Sequence, residues 1–503
     1  MISLTFKIDK RLVESELDNP TFKTINHFVQ QHEKLLPRLE MLADYYEGLP
    51  HKINEKSKVQ TPHEKGQVFV NNAKYVTDIM VGITLGNPIA YSSPSTDTTA
   101  EQENNDDTFD VILENFDRIN ISRHDKELEK DLSVFGVGYE LFYGSIVNAY
   151  DEVNATTKQT VKPCVTVIDP RGVFLVVDDT VDQEKLFAVR YKQKTDLDNQ
   201  EYWEFNVFTK TQVITYYSKS KQLGEGELLF DSPIVNEHFF GDVPIVEYRN
   251  NEEKQGDFEQ QLSQIDAINR MQSDRVQDKK NHIRAMLITY GFSLPDDDDT
   301  EENYYTKKSS DVTITAPEDG RTEYVTNTFD ESGVQVLYKA LVDDFHKTAG
   351  VPNLNDENFA GNISGEAMKY KLLGLLMIIS TKYGYFEDGV RQRLALFANF
   401  LNVQGNAIDT TGAEIKFKPN IPINQTEIIQ QIRDSQDFVP LVTSLKWLPD
   451  IDDPVEQIDL LNRQKEQAIK LNQSMLGQQA SDYPNNFQDK PIDEEQGTQD
   501  ERE

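Results

Sequence analysis

The chain has 503 residues, too many for one conventional hydrophobic core, so length alone suggests roughly two to four domains. Its 37% hydrophobic and 10% aromatic content can build such cores, while 51 Lys plus Arg against 86 Asp plus Glu leave a formal net charge of -35. That balance excludes tight, sequence-independent binding of nucleic acid through overall phosphate neutralisation, though local basic patches within the acidic whole stay open.

The single cysteine, Cys164, permits no intramolecular disulfide and no thiolate zinc cluster. Its strand-like setting predicts a buried small hydrophobe and fits a reducing compartment. No apolar run approaches the roughly 20 residues that cross a bilayer. The first residues, MISLTFKIDKRLVESELD, place acids where a secretory signal has its apolar core, so export by a signal peptide is not expected.

In chain order, Phe22, Ile25, Phe28 and Val29, then Leu35, Leu36, Leu39 and Leu42, give helical spacing over 19–46. Pro37 should bend or restart that helix, and Gly48 should stop it. Residues 51–68 read as a polar loop. A second helix begins at Asn72 and closes at Gly86-Asn87-Pro88. The run 92–108 has almost nothing to bury and reads as a flexible, exposed insertion. Residues 109–135 return to a helix. Strand candidates follow at Val165–Ile168, Phe174–Val177, Phe187–Tyr191, Tyr202–Phe208, Val213–Tyr217 and Pro244–Tyr248. Helices first and an antiparallel sheet after make this an α+β region.

Beyond Asn250, Leu262, Ile265, Ile268, Met271, Val276, Ile283 and Leu287 predict one long helix within 256–288. Its apolar stripe is narrow and needs a neighbour, which another subunit can supply. A short module at 289–328 carries strand candidates at Val312–Ile314 and Tyr324–Val325. Val334, Leu337, Leu341, Val342 and Phe345 predict a helix over 331–348. Residues 351–365 form a polar, hinge-like loop. A helix over about 365–402 follows, with Gly374, Gly384 and Gly389 as sites where it can bend. A strand at Ala413–Lys418 precedes helices over 425–446 and 454–472, the second opened by Asp453-Pro454. Residues 477–503 read as an acidic, disordered tail.

The chain shows no glycine loop followed by Lys and Ser or Thr, no strand-linked GxGxxG and no HExxH. His27 and His32, five apart, are poorly placed to share a helix face. Consecutive acids at Asp296–Asp299 read as a solvated loop, with an electrostatic rim or a metal site as alternatives. Asp178-Asp179 reads as a strand-ending turn. No catalytic residue, metal ligand or cofactor site is assigned.

Several fragments together resemble the portal proteins of tailed bacteriophages, in the type grouped with the SPP1 portal. They are Tyr45-Tyr46-Glu47-Gly48 with Ile53; Asn71-Asn72-Ala73-Lys74-Tyr75-Val76 with Gly86-Asn87-Pro88-Ile89; and Asp169-Pro170 with Asp178-Asp179. Further on stand Asn250-Asn251-Glu252, Gly256-Asp257-Phe258-Glu259, Ile265-Asp266-Ala267-Ile268-Asn269 and Ser364-Gly365-Glu366-Ala367-Met368-Lys369-Tyr370-Lys371. Their order and spacing, over approximately 35–475, carry the resemblance.

The resemblance implies an α+β portal fold with a mixed wing, a long helical stem, a small α/β clip and a helical crown, repeated as a ring. It assigns 1–255 to the wing, 256–282 to a stem helix and 283–328 to the clip. A second stem helix then covers 329–350, a tunnel loop 351–365, and a bent wing helix with its return strand 366–420. The crown would be 421–476. The implied function is a channel at one capsid vertex for double-stranded DNA packaging and ejection, in the virion and, during assembly, the host cytoplasm. Implied partners are further copies of the chain (twelve, or thirteen in isolation), double-stranded DNA, the terminase large subunit, a head-completion or connector protein, and the major capsid and scaffolding proteins, with no membrane. In the tunnel loop Asn353, Asn355, Asn358, Asn362 and Ser364 are candidate contacts to DNA or a neighbour, and Asp356 and Glu357 would limit adhesion. On the stem, Arg270, Arg275, Lys279 and Lys280 can face the channel or adjacent acidic chains. In the clip, Tyr304, Tyr305, Lys307 and Lys308 are candidates for ring closure and docking. Two other classes stay open: a phage-associated metal-dependent nuclease using Asp296–Asp299 or Asp178-Asp179, and an acidic assembly adaptor without a channel.

Overall fold

A computed structural model of the protein describes residues 4–49, 68–93, 99–151, 156–283, 286–290, 321–325, 331–354, 370–421, 425–435, 437–445, 447–448, 457–458 and 460–467. They fall into two units, divided after Ile421. Residues 51–67 of the loop expected at 51–68, the Asp296–Asp299 run, the strand at Val312–Ile314 and the tail lie outside the described residues.

The first unit opens with helices whose limits follow local chemistry. α1 (Phe22–Glu33) and α2 (Leu36–Glu47) divide where expected, with Pro37 in the first turn of α2, where a missing N–H breaks no intrahelical bond. α3 (Asn72–Thr84) is capped by Asn71, whose Oδ1 accepts the Lys74 N–H at 2.9 Å. The insertion expected at 92–108 is narrower. Its first residue, Ser92, ends β2 (Ala90–Ser92), and α4 (Thr99–Ile119) begins well inside it. The single helix expected over 109–135 is two, because Asn120 adopts a left-handed φ of 54° and its side chain then caps α5 (Ile121–Phe135).

Two sheets follow. β1 (Thr5–Ile8), β5 (Val173–Asp178), β6 (Lys185–Thr195), β7 (Glu201–Phe208), β8 (Gln212–Ser218) and β9 (Ile234–Glu237) lie in that order. β3 (Val137–Asp151) pairs on one side with β10 (Ile245–Arg249) and on the other with β4 (Thr156–Ile168). Every strand candidate between 165 and 248 is a strand. The wholly antiparallel expectation fails at one place, since β1 runs parallel to β5 with Thr5 opposite Leu175. β1 was not expected at all: four residues with a lysine among them carry little periodicity.

The long helix expected within 256–288 is α6 (Leu262–Ile283), entered through a short 3-10 turn at Glu259–Gln261. It ends early because Met286–Tyr290 form β11, paired antiparallel with β12 (Arg321–Val325), so strand pairing captures Leu287 from the helical stripe. α7 (Glu331–Ala349) and α8 (Leu373–Val403) come next, and β13 (Glu414–Lys416) pairs with β2. Gly389 of α8 faces the sheet. An added Cβ there would lie 2.3 Å from the ring of Tyr248, so the glycine admits close packing of helix on sheet.

Three cores result. α1 covers the six-stranded sheet through Ile25, Phe28 and Val29 against Phe174, Phe187, Val189 and Phe205. α8 and α4 cover the three-stranded sheet through Val390, Leu394 and Phe397 of α8 and Phe116 of α4, packed with Phe142 and Tyr248. The third core joins α2 and α3 to the start of α6, the end of α7 and the start of α8. Cys164 is buried on β4, as its setting suggested.

The second unit holds α9 (Gln425–Asp434), α10 (Leu441–Leu445) and helical residues at 460–467. The helix expected over 425–446 is broken because Pro440 has no N–H to continue it; its carbonyl instead accepts from Thr443 and Ser444 to start α10. No described helix is long and apolar enough to cross a membrane.

Candidate functional site

α6 and α7 lie side by side, and their inner faces meet the third core through Ile265, Ile268, Tyr338, Leu341, Val342 and Phe345. Their stripes are too narrow to bury both helices all round. Val336 and Leu337 on α7 are 71% and 56% exposed. The same holds at the start of α8, where Leu373 and Met377 are exposed, and just ahead of it at Tyr370. Arg275 pairs with Glu331 of the same chain, its Nε donating to Oε1 at 2.9 Å, so this cation ties the two helices together. Arg270 and Lys279 are exposed; of Lys280 only the helical backbone is described.

The connection leaving α7 is pinned before it reaches the segment outside the described residues. Gly350 has φ 68°, and a Cβ there would stand 2.3 Å from Ile378 Cδ1 on α8. Val351 is buried, and its carbonyl lies 3.0 Å from His346 Nδ1. The Tyr75 hydroxyl on α3 donates to the Pro352 carbonyl and accepts the Leu354 N–H, both at 3.1 Å. Burial lowers the His346 pKa, which favours the neutral ring in this packed corner. Asn353 lies in the pinned base. Asn355, Asp356, Glu357, Asn358, Asn362 and Ser364, and in the clip Tyr304, Tyr305, Lys307 and Lys308, lie outside the described residues.

α8 is itself anchored by charges inside the protein. Arg393 is fully buried; its Nη2 is 2.7 Å from Asp125 Oδ1, and it also grips Glu140, with Nε to Oε2 at 3.2 Å. Tyr248 donates to Glu140 Oε2 at 2.8 Å, and His124 Nε2 lies 2.7 Å from Oε1. Burial opposes the Glu140 charge, but Arg393 and His124 overcome it and bring its pKa down to about 2. Three turns earlier, Lys382 Nζ sits 2.5 Å from Glu129 Oε1 on α5 and 2.9 Å from Asp257 Oδ2, just ahead of α6. The contact with Glu129 is not aligned as a hydrogen bond, and burial pushes that carboxyl up to about 7. Two carboxylates share one ammonium, so one of them carries its charge only weakly.

The sequence reading missed Tyr75, Lys382 and Arg393 as positioning residues. A signal existed for the last two: they fall at helical spacing on the apolar face of α8, with Ile379, Phe386, Val390 and Phe397. Asp178, read as turn-forming, accepts from the Lys10 N–H and the Thr180 hydroxyl, both at 2.8 Å. His32 is buried, with Nδ1 2.6 Å from the Tyr191 hydroxyl, while His27 pairs with Gln31. Among the described residues no group of three or more His, Cys, Asp or Glu is placed to hold a metal ion.

Comparison with known proteins bears on the whole of this arrangement. Residues 25–471 match the family described as "Phage portal protein, SPP1 Gp6-like". The portal protein of Bacillus phage SPP1 is 20% identical over 496 residues, covering 94% of this chain and 89% of that protein. A match over nearly the full length, on a mixed α+β fold, leads to one conclusion: the chain belongs to the SPP1 Gp6-like family of phage portal proteins.

Proposed function

We propose that this portal protein acts as one subunit of a ring of twelve at a single capsid vertex, through which double-stranded DNA passes during packaging and ejection. The role is structural. The observation that carries the proposal is the apolar surface left on α7 and at the start of α8, where Val336, Leu337, Leu373 and Met377 face water in the single chain. Such a surface on narrow-striped helices is stable when a neighbour covers it, and cyclic repetition covers it on every subunit.

In that ring, α6 and α7 form the stem wall, with Arg275–Glu331 holding each pair together, while Arg270, Lys279 and Lys280 are available to neighbouring acidic chains or to the channel. The loop 351–365, rooted by Tyr75, reaches toward DNA, and the net charge of -35 keeps phosphate from adhering, which suits sliding. The clip at 283–328, with Tyr304, Tyr305, Lys307 and Lys308, receives the terminase large subunit and later the head-completion protein. The capsid and scaffolding proteins meet the ring during assembly in the host cytoplasm. ATP hydrolysis belongs to the terminase, since this chain has no phosphate-binding loop.

The test is the mass of the purified full chain and of a Val336→Asp/Leu337→Asp double variant. Twelve copies of 57.7 kDa give about 0.7 MDa for the wild type. The variant should remain folded by circular dichroism yet fall to small species. An assembly of unchanged mass in the variant would show that this face is not the interface.

A further inference from the structure

The outer edge of the six-stranded sheet has features that ring closure through the stem does not use. β9 pairs with β8 alone among the described residues, and all four of its residues are exposed. Around it Leu229, Phe230, Ile234, Val235 and Phe239 are between 41% and 61% exposed, although the same sheet buries every residue of β5. Phe230 is held against Tyr217 in an edge-to-face contact at 5.5 Å, so it does not hang free. An open strand edge with apolar side chains on both faces is the kind of surface that other chains pair with, and proteins usually guard it.

Beside this edge lies a groove of about 580 Å³ between the start of α1 and the β8–β9 pair. Its apolar lining is Phe22, Ile214, Tyr216, Leu228, Pro233 and Val235, and Glu225 and Asp231 stand at its rim. The groove is built, since Gln212 Nε2 donates to the Asp18 carbonyl at 2.6 Å and Phe22 packs edge-on to Tyr216 at 5.2 Å. These contacts hold α1 at a fixed distance from the strands. Val235 lies opposite Ile214 in the register, which puts it on the groove side, while Ile234, opposite Thr215, takes the other face.

Charge identifies the occupant. From Gln222 to Tyr248 the chain has no lysine or arginine, whereas Glu225, Glu227, Asp231 and Glu237 are all exposed around the patch. A nucleic acid or an anionic membrane would be repelled there, and a second copy of a chain with net charge -35 is a poor match for an acidic rim. We propose that the β9 edge and its groove dock a basic, apolar, extended segment of a different protein, which adds a strand outside β9 and sets an apolar side chain in the groove. This surface is separate from the stem face on which the ring proposal rests.

The test uses the full-length protein and three labelled peptides of about ten residues: alternating Val/Lys, alternating Val/Glu and alternating Ser/Lys. Fluorescence anisotropy should show saturable binding of Val/Lys alone, with amide exchange slowed at Ile234–Glu237. A Glu225→Lys/Asp231→Lys variant should weaken Val/Lys at least about tenfold and admit Val/Glu, and Val235→Asp should weaken Val/Lys similarly. Particle mass is followed throughout. Equal binding of Ser/Lys and Val/Lys would reduce the surface to diffuse charge and overturn the proposal. So would binding without protection of β9. A drop in particle mass in the charge-reversal variant would instead make the edge a contact between copies, and would leave the stem interface to be judged by its own variant.

Discussion

Replacing Lys382 by methionine keeps most of the side-chain volume and removes one positive charge from between Glu129 and Asp257. All three side chains are at most 5% exposed, so water cannot take over the role of the ammonium. Removing one partner of a buried ion pair costs about 3–5 kcal/mol. The cost here depends on pH, and the direction follows from Glu129. Burial raises its pKa from 4.5 to about 7, so the folded state holds that proton more tightly than the unfolded chain does. Its contribution to stability is full below the unfolded value and is lost as pH rises through the folded one. Without the ammonium, which lowers the Glu129 pKa, the folded value rises further. At about pH 8.5 the variant must either ionise Glu129 beside Asp257 or hold a proton that the unfolded chain would release, whereas at about pH 5.5 Glu129 is protonated with or without Lys382 and the loss is small. At about 2 °C per kcal/mol, thermal unfolding of the full chain should drop by roughly 6–10 °C at the higher pH and by less than about half of that at the lower. An equal drop at both pH values, or none at the higher, would refute this account of the cluster.

Gly389→Val should lower the melting temperature of the first unit by the equivalent of about 1–3 kcal/mol or more, because its Cβ meets the buried Tyr248 ring. Gly374→Ala, with nothing within 4 Å, should be neutral or stabilising by up to about 1 kcal/mol; similar losses in both would favour bending over packing as the role of these glycines. Tyr75→Phe deletes the hydroxyl that holds both Pro352 and Leu354, and should speed amide exchange at Leu354 with a stability loss of about 1–2 kcal/mol. Unchanged exchange there would mean that the loop base is held by Val351 and Gly350 alone.

Much of the fold was legible because local chemistry and tertiary structure agree. Pro37, Gly48 and Asn72 each mark a helix limit that the structure keeps, and the strand-like runs from Val165 to Tyr248 are strands. The misreadings occur where a longer-range partner decided the outcome. Leu287 fits the helical stripe of α6, but pairing of β11 with β12 claims it. Phe109–Phe135 reads as one helix because periodicity does not register the left-handed turn at Asn120. β1 depends wholly on β5, about 170 residues away in the chain. For the site, the helices α6 and α7 and the exposed apolar residues on α7 could be read from a stripe too narrow for a free helix. The Tyr75 clamp, 277 residues from Pro352, and the pairing of Lys382 and Arg393 with acids on α5 and β3 could not, because no local pattern encodes which distant group a polar side chain meets.

The central claim is that the apolar faces of α7 and α8 exist to be covered by identical neighbours around an open axis. Electron-microscopy class averages of the purified wild-type chain test it most directly. The account predicts closed rings of about twelve subunits with an axial channel. Monomers, dimers or open filaments at high protein concentration would contradict it.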